Sequence, residues 1–399
     1  MKEIKKSIMV SLWFMFLTFP ILVIRVNTIE KEIHWRWENL IFLGVASFCL
    51  SFLWRYLIRK KERNKKKAQS GEMEQSSIIH FVLNDRKVHI PILITLCLFA
   101  IIFPFIFSLY QTNIIISALI YIVLGLGLNI VVGLAGLLDL GYVAFYAVGA
   151  YSYALLNYHF SLNFWVALPI GAGLGAIFGV ILGFPVLRLR GDYLAIVTLG
   201  FGEIIRLVLE NWDAFSFGPS GIANIPRPGF FGLEMSFKTA TVYIYFLMIA
   251  LVIFTIFIVN RLQNSRIGRA WIALREDETA CQAMGINIAK TKLRAFALGA
   301  TWAGMVGVVF AAKTTFINPA SFTFWESIII LCIVVLGGMG SIVGVIAGSL
   351  ILILLPEYLR AFSEYRMLIF GAVLVIAMVF RPEGLINIDR KTYKFKLQD

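Results

Sequence analysis

The sequence predicts an all-α membrane protein, a polytopic bundle of about 10–12 transmembrane helices with short re-entrant or broken helices. Of the 399 residues, 59% are hydrophobic and 15% are charged. Soluble domains are nearer about 45–50% apolar and about 25% charged. The mean hydropathy is +0.84, and the apolar residues occur in unbroken runs close to the roughly 20 residues that one spanning helix needs. An ordinary soluble enzyme is therefore excluded.

The candidate spans are apolar runs separated by short polar connections. Two connections, Ala135–Leu140 and Gly337–Ser341, are glycine-rich and nearly uncharged, which indicates helix breaks shielded from lipid. If both are re-entrant, the count falls to the lower end of the range. The first run resembles a signal peptide, but Arg25 and Val26 occupy the cleavage position, so we predict an uncleaved span. The runs lie near 8–24, 40–57, 90–109, 114–134, 141–157, 164–187, 193–209, 240–259, 295–312, 324–337, 343–356 and 365–380.

The basic residues predict the orientation of these spans. Alternating spans place five segments on one side, and these contain 27 of the 36 Lys and Arg. Because cytoplasmic connections carry an excess of Lys and Arg, we predict that this side is the cytoplasm and that it holds both termini. The same bias accounts for the net charge of +13, so a nucleic-acid partner is not expected. The segments are 1–6, 55–87, 188–190, 261–294 and 381–396.

Two long hydrophilic connections organise the chain. Arg59–Lys87 opens with seven bases and one acid, which predicts a cytoplasmic linker that attracts anionic membrane lipids. It separates a two-span extension, residues 1–88, from a larger unit, 89–386, which a tail of 387–399 follows. On the opposite side, Asn211–Lys238 carries Gly and Pro turn signals and is predicted to form a compact ordered loop.

Motifs of nucleotide, metal or covalent chemistry are missing from the sequence. It contains no P-loop, no HExxH and no GxSxG, and its four histidines and four cysteines show neither metal nor disulfide spacing. We therefore expect no catalytic residue, no metal and no cofactor.

Glycines at four-residue spacing form two stripes. Such a stripe removes side chains from one helix face, so a neighbouring helix can approach closely. The spacing predicts tight helix packing at both places. The stripes are Gly171, Gly175, Gly179 and Gly183 on one helix and Gly340, Gly344 and Gly348 on another.

Charged residues in or beside the apolar runs are candidate translocation or structural residues, since a charge at the bilayer centre costs at least about 2.5 kcal/mol. Glu203 and Arg206, three apart on a helix, are predicted to neutralise each other, with a substrate contact as the alternative. Asp139 is predicted to cap the helix after the first break, with ligand binding as the alternative. Glu326 and Lys313 are expected near the outer surface. The candidates are Asp139, Asp192, Glu203, Arg206 and Glu326.

The cytoplasmic segment Arg261–Arg294 is predicted to contain a surface helix. Gly285 suits its C-cap, and Asn287 suits the N-cap of the next span. An exposed apolar stripe on this helix indicates either docking of a cytoplasmic partner or contact with lipid. The stripe consists of Trp271, Leu274, Cys281 and Met284, at offsets of three, ten and thirteen.

Together these motifs resemble the permeases of branched-chain amino acid ABC transporters, the LivM type in particular. Gly268–Ile286 is similar to the coupling loop of that family. The resemblance covers about Thr112 to Ile386, and a two-span extension is usual in this subunit. Further similar motifs are Gly133–Tyr142, Arg190–Tyr193, Phe322–Ser327 with Ile333–Ser341, and Arg381–Gly384.

The resemblance implies a bacterial inner-membrane importer subunit for leucine, isoleucine and valine, which is not an enzyme. It implies a LivH-like second permease, two ATPase subunits that use the ATP, and an external substrate-binding protein. The ATPases are expected to dock on the coupling loop (Gly268–Ile286), with Trp271 and Arg275 as anchors. The loop residues given this role are Gly268, Trp271, Leu274, Arg275, Glu276, Asp277, Glu278, Ala280 and Gly285.

Two alternatives remain compatible with the sequence. An ion-coupled secondary transporter would need buried acids, and Asp139, Glu203 and Glu326 are available, although no convincing internal repeat is present. Within the same family, relatives with similar motifs carry urea or short amides.

Overall fold

The structure, a computed structural model, describes residues 99–189, 191–229 and 236–359, together with short pieces outside these ranges. The chain divides into two compact units, Met1–Leu96 and Cys97–Asp399. The described part of the first unit includes an antiparallel strand pair, in which Ile24 lies opposite Trp35. The predicted linker, both termini and most of the apolar runs near 8–24, 40–57 and 365–380 lie outside the described residues, as does the first part of the run near 90–109.

The second unit is a helical bundle, which confirms the predicted all-α class. Each predicted run between residues 114 and 356 coincides with a helix. Residues 99–106 are also helical. The strand pair of the first unit consists of β1 (Ile24–Asn27) and β2 (Glu32–Trp35). The main helices of the second unit are α1 (Leu109–Leu128), continued by a π-helix (Asn129–Leu134), α2 (Val143–Phe160), α3 (Phe164–Val186), α4 (Gly191–Asn211), α5 (Phe237–Gln263), α6 (Arg266–Glu276), α7 (Glu278–Ala283), α8 (Ile288–Thr314), α9 (Phe324–Gly337) and α10 (Ile342–Tyr358).

Five segments of the described residues are long and apolar enough to cross a membrane: Leu109–Leu134, Phe164–Val186, Phe237–Gln263, Ile288–Thr314 and Pro319–Gly337. Helix α10 is apolar but shorter. The chain therefore has the helices of a multi-pass membrane protein. The total of about 10–12 spans stays a prediction, because three of the apolar runs lie largely outside the described residues and a fourth lies partly outside them.

Helices α1 and α8 form the centre of the bundle. Both are mostly buried, whereas α3 and α5 bury a smaller share of their length. Large apolar side chains such as Ile177, Ile204 and Phe257 are exposed on α3, α4 and α5. Extensive exposed apolar surface marks contact with a membrane or a partner, so this pattern agrees with a bundle surrounded by lipid.

Helix α3 packs on α8 through its glycine stripe. A Cβ atom on Gly175 would lie 2.5 Å from the carbonyl oxygen of Ala300. Gly304 of α8 is equally close in return, because a Cβ atom there would lie 2.3 Å from the carbonyl oxygen of Gly171. Backbone meets backbone along this contact, which larger side chains would prevent. The contact with α8 continues at Gly179 and Gly183.

The second glycine stripe is divided between a helix and a turn. Gly344 and Gly348 lie on α10 in close contact with α9. Gly340 lies in the turn before α10, where its φ of +89° requires a residue without Cβ. The prediction that all three glycines share one helix is therefore wrong, because α10 begins only at Ile342.

Both predicted helix breaks are present among the described residues. The first break (Ala135–Tyr142) follows the π-helix and ends where α2 begins. The second break (Gly338–Ser341) separates α9 from α10. Each leaves irregular backbone between apolar helices, which requires hydrogen-bonding partners inside the protein.

The connection between α4 and α5 is ordered where the structure describes it. It contains a single helical turn, Asp213–Ser216, and a short strand, β3 (Ile222–Ala223), which pairs with β4 (Phe316–Ile317) after α8. The Tyr153 hydroxyl donates to the carbonyl oxygen of Pro226 at 2.8 Å. These contacts fit the predicted compact loop up to residue 229.

Candidate functional site

The coupling loop (Gly268–Ile286) contains two helices, not the single helix that the sequence predicted. Extended backbone at Asp277, with φ of −155°, separates α6 from α7. The Asp277 carboxylate then accepts hydrogen bonds from the N–H groups of Thr279 at 2.7 Å and Ala280 at 3.0 Å. Asp277 is thus the N-cap of α7, which explains why the chain can turn at this position.

The predicted caps at the C-terminal side of the loop are confirmed. Gly285 has φ of +80°, which suits the end of α7. The Asn287 side chain accepts a hydrogen bond from the N–H of Lys290 at 3.0 Å and so caps α8. At the start of the loop, a Cβ atom on Gly268 would lie 2.2 Å from the carbonyl oxygen of Leu262, so α6 packs tightly against the end of α5.

The predicted apolar stripe of the loop is buried instead of exposed. Trp271 is 0% exposed, Leu274 5% and Cys281 3%, whereas Met284 is 82% exposed. The indole Nε1 of Trp271 donates to the carbonyl oxygen of Thr291 at 3.0 Å. The prediction of an exposed stripe is therefore wrong at three of its four positions, because these side chains hold α6 and α7 against the bundle.

The loop also reaches the bundle through charged side chains. Glu278 forms an ion pair with Lys292, a side chain of α8 that is 2% exposed. Lys292 also donates to the carbonyl oxygen of Leu187 at 3.4 Å. Near this pair, desolvation raises the pKa of the Cys281 thiol, and the neighbouring Asp277 and Glu278 add to the effect. The loop and the start of α8 therefore form one packed unit.

Arg275 connects the coupling loop with the first helix break. Its Nη1 donates to the carbonyl oxygen of Gly133, in the π-helix, at 2.6 Å. A Cβ atom on Gly136 would lie 2.7 Å from Cγ of Arg275, so the side chain lies directly on the backbone of the first break. The predicted role of Arg275 as an outward anchor is not what this geometry favours.

The two helix breaks meet beside Arg275. The Asn129 side-chain oxygen accepts a hydrogen bond from the N–H of Gly340 at 2.8 Å. Gln263, at the end of α5, donates to the carbonyl oxygen of the same glycine at 3.4 Å. The junction of the breaks therefore consists of the π-helix of α1, the turn before α10 and the end of α5, and it adjoins the coupling loop.

The outward face of the coupling loop, meaning its surface away from the helical bundle, does not consist of the predicted anchors Trp271 and Arg275. Arg269, Glu276, Asp277, Ala280 and Gly285 are exposed, as is Met284. Met284 is a large apolar side chain exposed at the loop surface, and Met and Arg are among the residues enriched at protein interfaces.

Arg206 of α4 forms ion pairs with two glutamates. It contacts Glu203 at 2.8 Å, as predicted, and Glu210 at 2.6 Å. The second pair is not among the predictions, although its spacing of four residues is visible in the sequence. All three side chains are partly exposed. Asp192 lies exposed in the first turn of α4, where the helix dipole favours a carboxylate.

Asp139 is fully buried in the first break. One carboxylate oxygen accepts a hydrogen bond from the N–H of Gly141 at 2.9 Å, and the other has no hydrogen-bond partner among the residues that the structure describes. Helix α2 begins at Val143, and its N-cap position, Tyr142, makes no side-chain cap. Asp139 therefore stabilises the turn before α2, and the prediction that it caps the helix itself is wrong.

Lys313 lies at the end of the bundle opposite the coupling loop, whereas Glu326 contacts the middle of the Leu109–Leu134 segment. Lys313 is in the last turn of α8, whose 27 residues span about 40 Å from the loop side. Lys313 donates to Ser117 of α1 at 2.5 Å, and the hydroxyl of Tyr121 donates to Glu326. Across the part of the chain that the structure describes, no group of three or more His, Cys, Asp or Glu could hold a metal ion.

Comparisons with known proteins agree with this architecture. A family model described as "Branched-chain amino acid transport system / permease component" matches residues 110–378. The high-affinity branched-chain amino acid transport system permease protein LivM of Escherichia coli (strain K12) is 43% identical over 92% of this chain and 88% of its own length. The LivH permease of the same strain is 24% identical over 67% of this chain and 91% of its own length. No solved structure matches the chain.

Proposed function

The chain belongs to the branched-chain amino acid transport system permease family, and from this we propose that it is the membrane-spanning subunit of an ABC importer for leucine, isoleucine and valine. The observation that carries the proposal is the 43% identity to the LivM permease over nearly the whole chain. The relatives are transport permeases and not enzymes. The apolar helices agree with a multi-pass inner-membrane protein.

A second permease is part of the proposed importer. The similarity to the LivH permease supports a LivH-like partner that packs beside this chain in the membrane. Two ATPase subunits would supply the energy, since the sequence has no P-loop, and a substrate-binding protein would deliver the amino acid from outside. The distribution of Lys and Arg supports cytoplasmic termini and a cytoplasmic coupling loop.

The outward face of the coupling loop is the proposed ATPase contact. Arg269, Ala280 and Met284 are exposed there, and Met and Arg are enriched at protein interfaces. Trp271 and Leu274 contribute indirectly, because their burial fixes the position of the loop on the bundle.

Arg275 and the Glu278–Lys292 pair are the proposed route from this contact into the membrane. A push on α6 would move the carbonyl of Gly133 through Arg275, and a push on α7 would move the start of α8 through Lys292. Both helix breaks adjoin Arg275, so the part of the bundle with the least regular backbone lies next to the ATPase contact.

Co-purification of the importer tests the docking face. We expect Met284→Asp combined with Ala280→Arg to abolish ATPase recruitment and leucine uptake, since both changes place charge in an apolar contact. Tyr158→Ala, an exposed position at the opposite end of the bundle, should leave recruitment unchanged. In the unaltered importer, isoleucine and valine should compete with leucine, and urea should not. Normal recruitment by the double variant would contradict the proposed contact.

A second experiment separates transmission from docking. Arg275→Ala should keep its ATPases but lower leucine transported per ATP by about tenfold, the effect of one lost charged hydrogen bond. Arg261→Ala, an exposed arginine on the same side, should retain normal coupling. Loss of ATPase binding in Arg275→Ala would show that Arg275 is part of the contact itself.

A further inference from the structure

Lys313 and Glu326 contact the same side of α1 on a polar stripe of four-residue spacing. The ammonium of Lys313 donates to the Ser117 hydroxyl at 2.5 Å and to the carbonyl oxygen of Asn113 at 3.3 Å. One turn further along α1, the Tyr121 hydroxyl donates to the Glu326 carboxylate. Ser117 and Tyr121 are four residues apart, so their Cβ atoms lie about 5–6 Å apart on one face of α1.

These two charges are held apart although their signs are opposite. Within the described residues, neither side chain is part of an ion pair, and their hydrogen-bond partners are all neutral. Both side chains are partly buried. Partly desolvated charges among apolar helices are costly unless a partner of opposite charge compensates them, so a cation and an anion kept one turn apart indicate a site for a ligand that carries both charges.

The surroundings of this pair are aromatic. Tyr146 of α2 lies close enough to Tyr121 and Glu326 to interact electrostatically with both. Its ring is 5.1 Å from that of Phe310, one turn before Lys313, and 5.4 Å from that of Phe322. An apolar wall beside two opposite charges suits a molecule with a charged head and a branched hydrocarbon tail.

We propose that Lys313 and Glu326 bind the charged head of an α-amino acid, with the carboxylate on Lys313 and the ammonium on Glu326. This inference rests on the proposed function, which it deepens by naming a substrate site. The carboxylate and ammonium of one amino acid carry the two complementary charges, and each can form a charge-assisted hydrogen bond with its protein partner. The α1 residues that these charges contact lie in the half of Leu109–Leu134 away from the coupling loop, the side from which the amino acid would enter.

The alternative is that Lys313 only anchors the end of α8 to α1. A lysine in the last turn of a helix is favoured by the helix dipole, and its bonds to Ser117 and Asn113 would then be sufficient. This alternative predicts no dependence of binding on which charge the ligand carries, so ligands that lack one charge distinguish the two explanations.

The test is equilibrium binding to the assembled importer without its binding protein, with labelled leucine as the probe. Lys313→Gln and Glu326→Gln should each weaken leucine binding about tenfold or more. Lys313→Arg and Glu326→Asp, which retain the charges, should restore most of it. Lys238→Gln removes an exposed charge near the start of α5, and Thr314→Val changes the exposed neighbour of Lys313, so both should bind like the unaltered importer.

Two competitors give a pattern that an anchoring role does not produce. Isopentylamine lacks the carboxylate of leucine, and 4-methylpentanoate lacks the ammonium. The preference for leucine over the amine should disappear in Lys313→Gln only, and the preference over the acid should disappear in Glu326→Gln only. Unchanged leucine binding in both variants, equal loss of both preferences, or no leucine binding by a transporting importer would overturn the site. An unaltered importer that takes up no leucine would overturn the proposed function instead.

Discussion

The two ends of α8 hold their lysines in different ways. At the coupling-loop end, Lys292 is buried and forms an ion pair with Glu278. At the opposite end, Lys313 contacts a hydroxyl and a carbonyl oxygen of α1, and the Glu326 carboxylate contacts Tyr121.

The difference indicates different tasks for the two ends. The Lys292–Glu278 ion pair is already balanced in charge, so it can hold the coupling loop on α8 without a ligand. Lys313 and Glu326 are not paired with each other, which is why we propose that they bind a ligand with both charges. Helix α8 therefore begins beside the proposed ATPase contact and ends beside the proposed substrate site.

The largest expected effect is at the compensated end. Lys292→Ala should cost about 3–5 kcal/mol of folding free energy, because it removes one partner of a buried ion pair. Lys292→Met with Glu278→Gln should recover much of that loss. Thermal unfolding in detergent measures both, and Lys290→Ala, exposed two residues earlier, is the control. Equal stability of Lys292→Ala and the control would remove the basis for the comparison.

The second largest loss of stability is expected where α3 packs on the middle of α8. Gly175→Ala should destabilise the bundle by about 1–3 kcal/mol, because its Cβ meets the backbone of Ala300. Gly173→Ala on the same helix should be neutral or stabilising, since nothing lies within 4 Å of that position. Unfolding temperatures of the two variants provide the measurement. Equal unfolding temperatures of the two variants would show that α3 and α8 are not in close backbone contact at Gly175.

A smaller effect is expected at the loop itself. Trp271→Phe should cost about 1 kcal/mol for the lost hydrogen bond to Thr291, and somewhat more for the volume removed. Trp325→Phe, at a position that is 70% exposed, should change stability little. Unfolding in detergent distinguishes the two. Reduced ATPase recruitment by a fully stable Trp271→Phe would restore the sequence-based assignment of Trp271 as a docking anchor.

The smallest effect is expected on α4, outside both ends of α8. Glu203→Gln should change stability by about 0.5 kcal/mol or less, because the pair is partly exposed and Arg206 keeps Glu210. Unfolding and leucine uptake should both stay near normal. A large loss of uptake with normal stability would give α4 a direct part in translocation and would weaken the assignment to the end of α8.

The features that sequence alone could predict are those set by local spacing. Four-residue glycine spacing identifies the α3 stripe, and the caps at Gly285 and Asn287 depend only on neighbouring residues. The burial of Trp271 and the inward direction of Arg275 could not be read in this way. Arg275 meets Gly133, which is 142 residues away in the chain, and nothing local shows which helix covers the stripe.

The proposed substrate site likewise depends on contacts between residues that are far apart in the chain. The sequence places Lys313 and Glu326 near the outer surface, but the residues that separate their charges belong to α1. Lys313 meets Ser117 across 196 residues, and Glu326 meets Tyr121 across 205. A polar stripe on α1 is readable, yet its partners become known only when three helices are packed together.

We propose that the coupling-loop end of α8 faces the ATPase and that its opposite end faces the binding protein. Site-specific photo-crosslinking in the assembled importer distinguishes the two contacts. A benzophenone amino acid would replace exposed Met284 at the coupling loop or exposed Phe316 beyond the opposite end of α8. We expect ATPase adducts from position 284 only and binding-protein adducts from position 316 only. ATPase adducts from position 316, or none from position 284 in a transporting importer, would contradict this proposal.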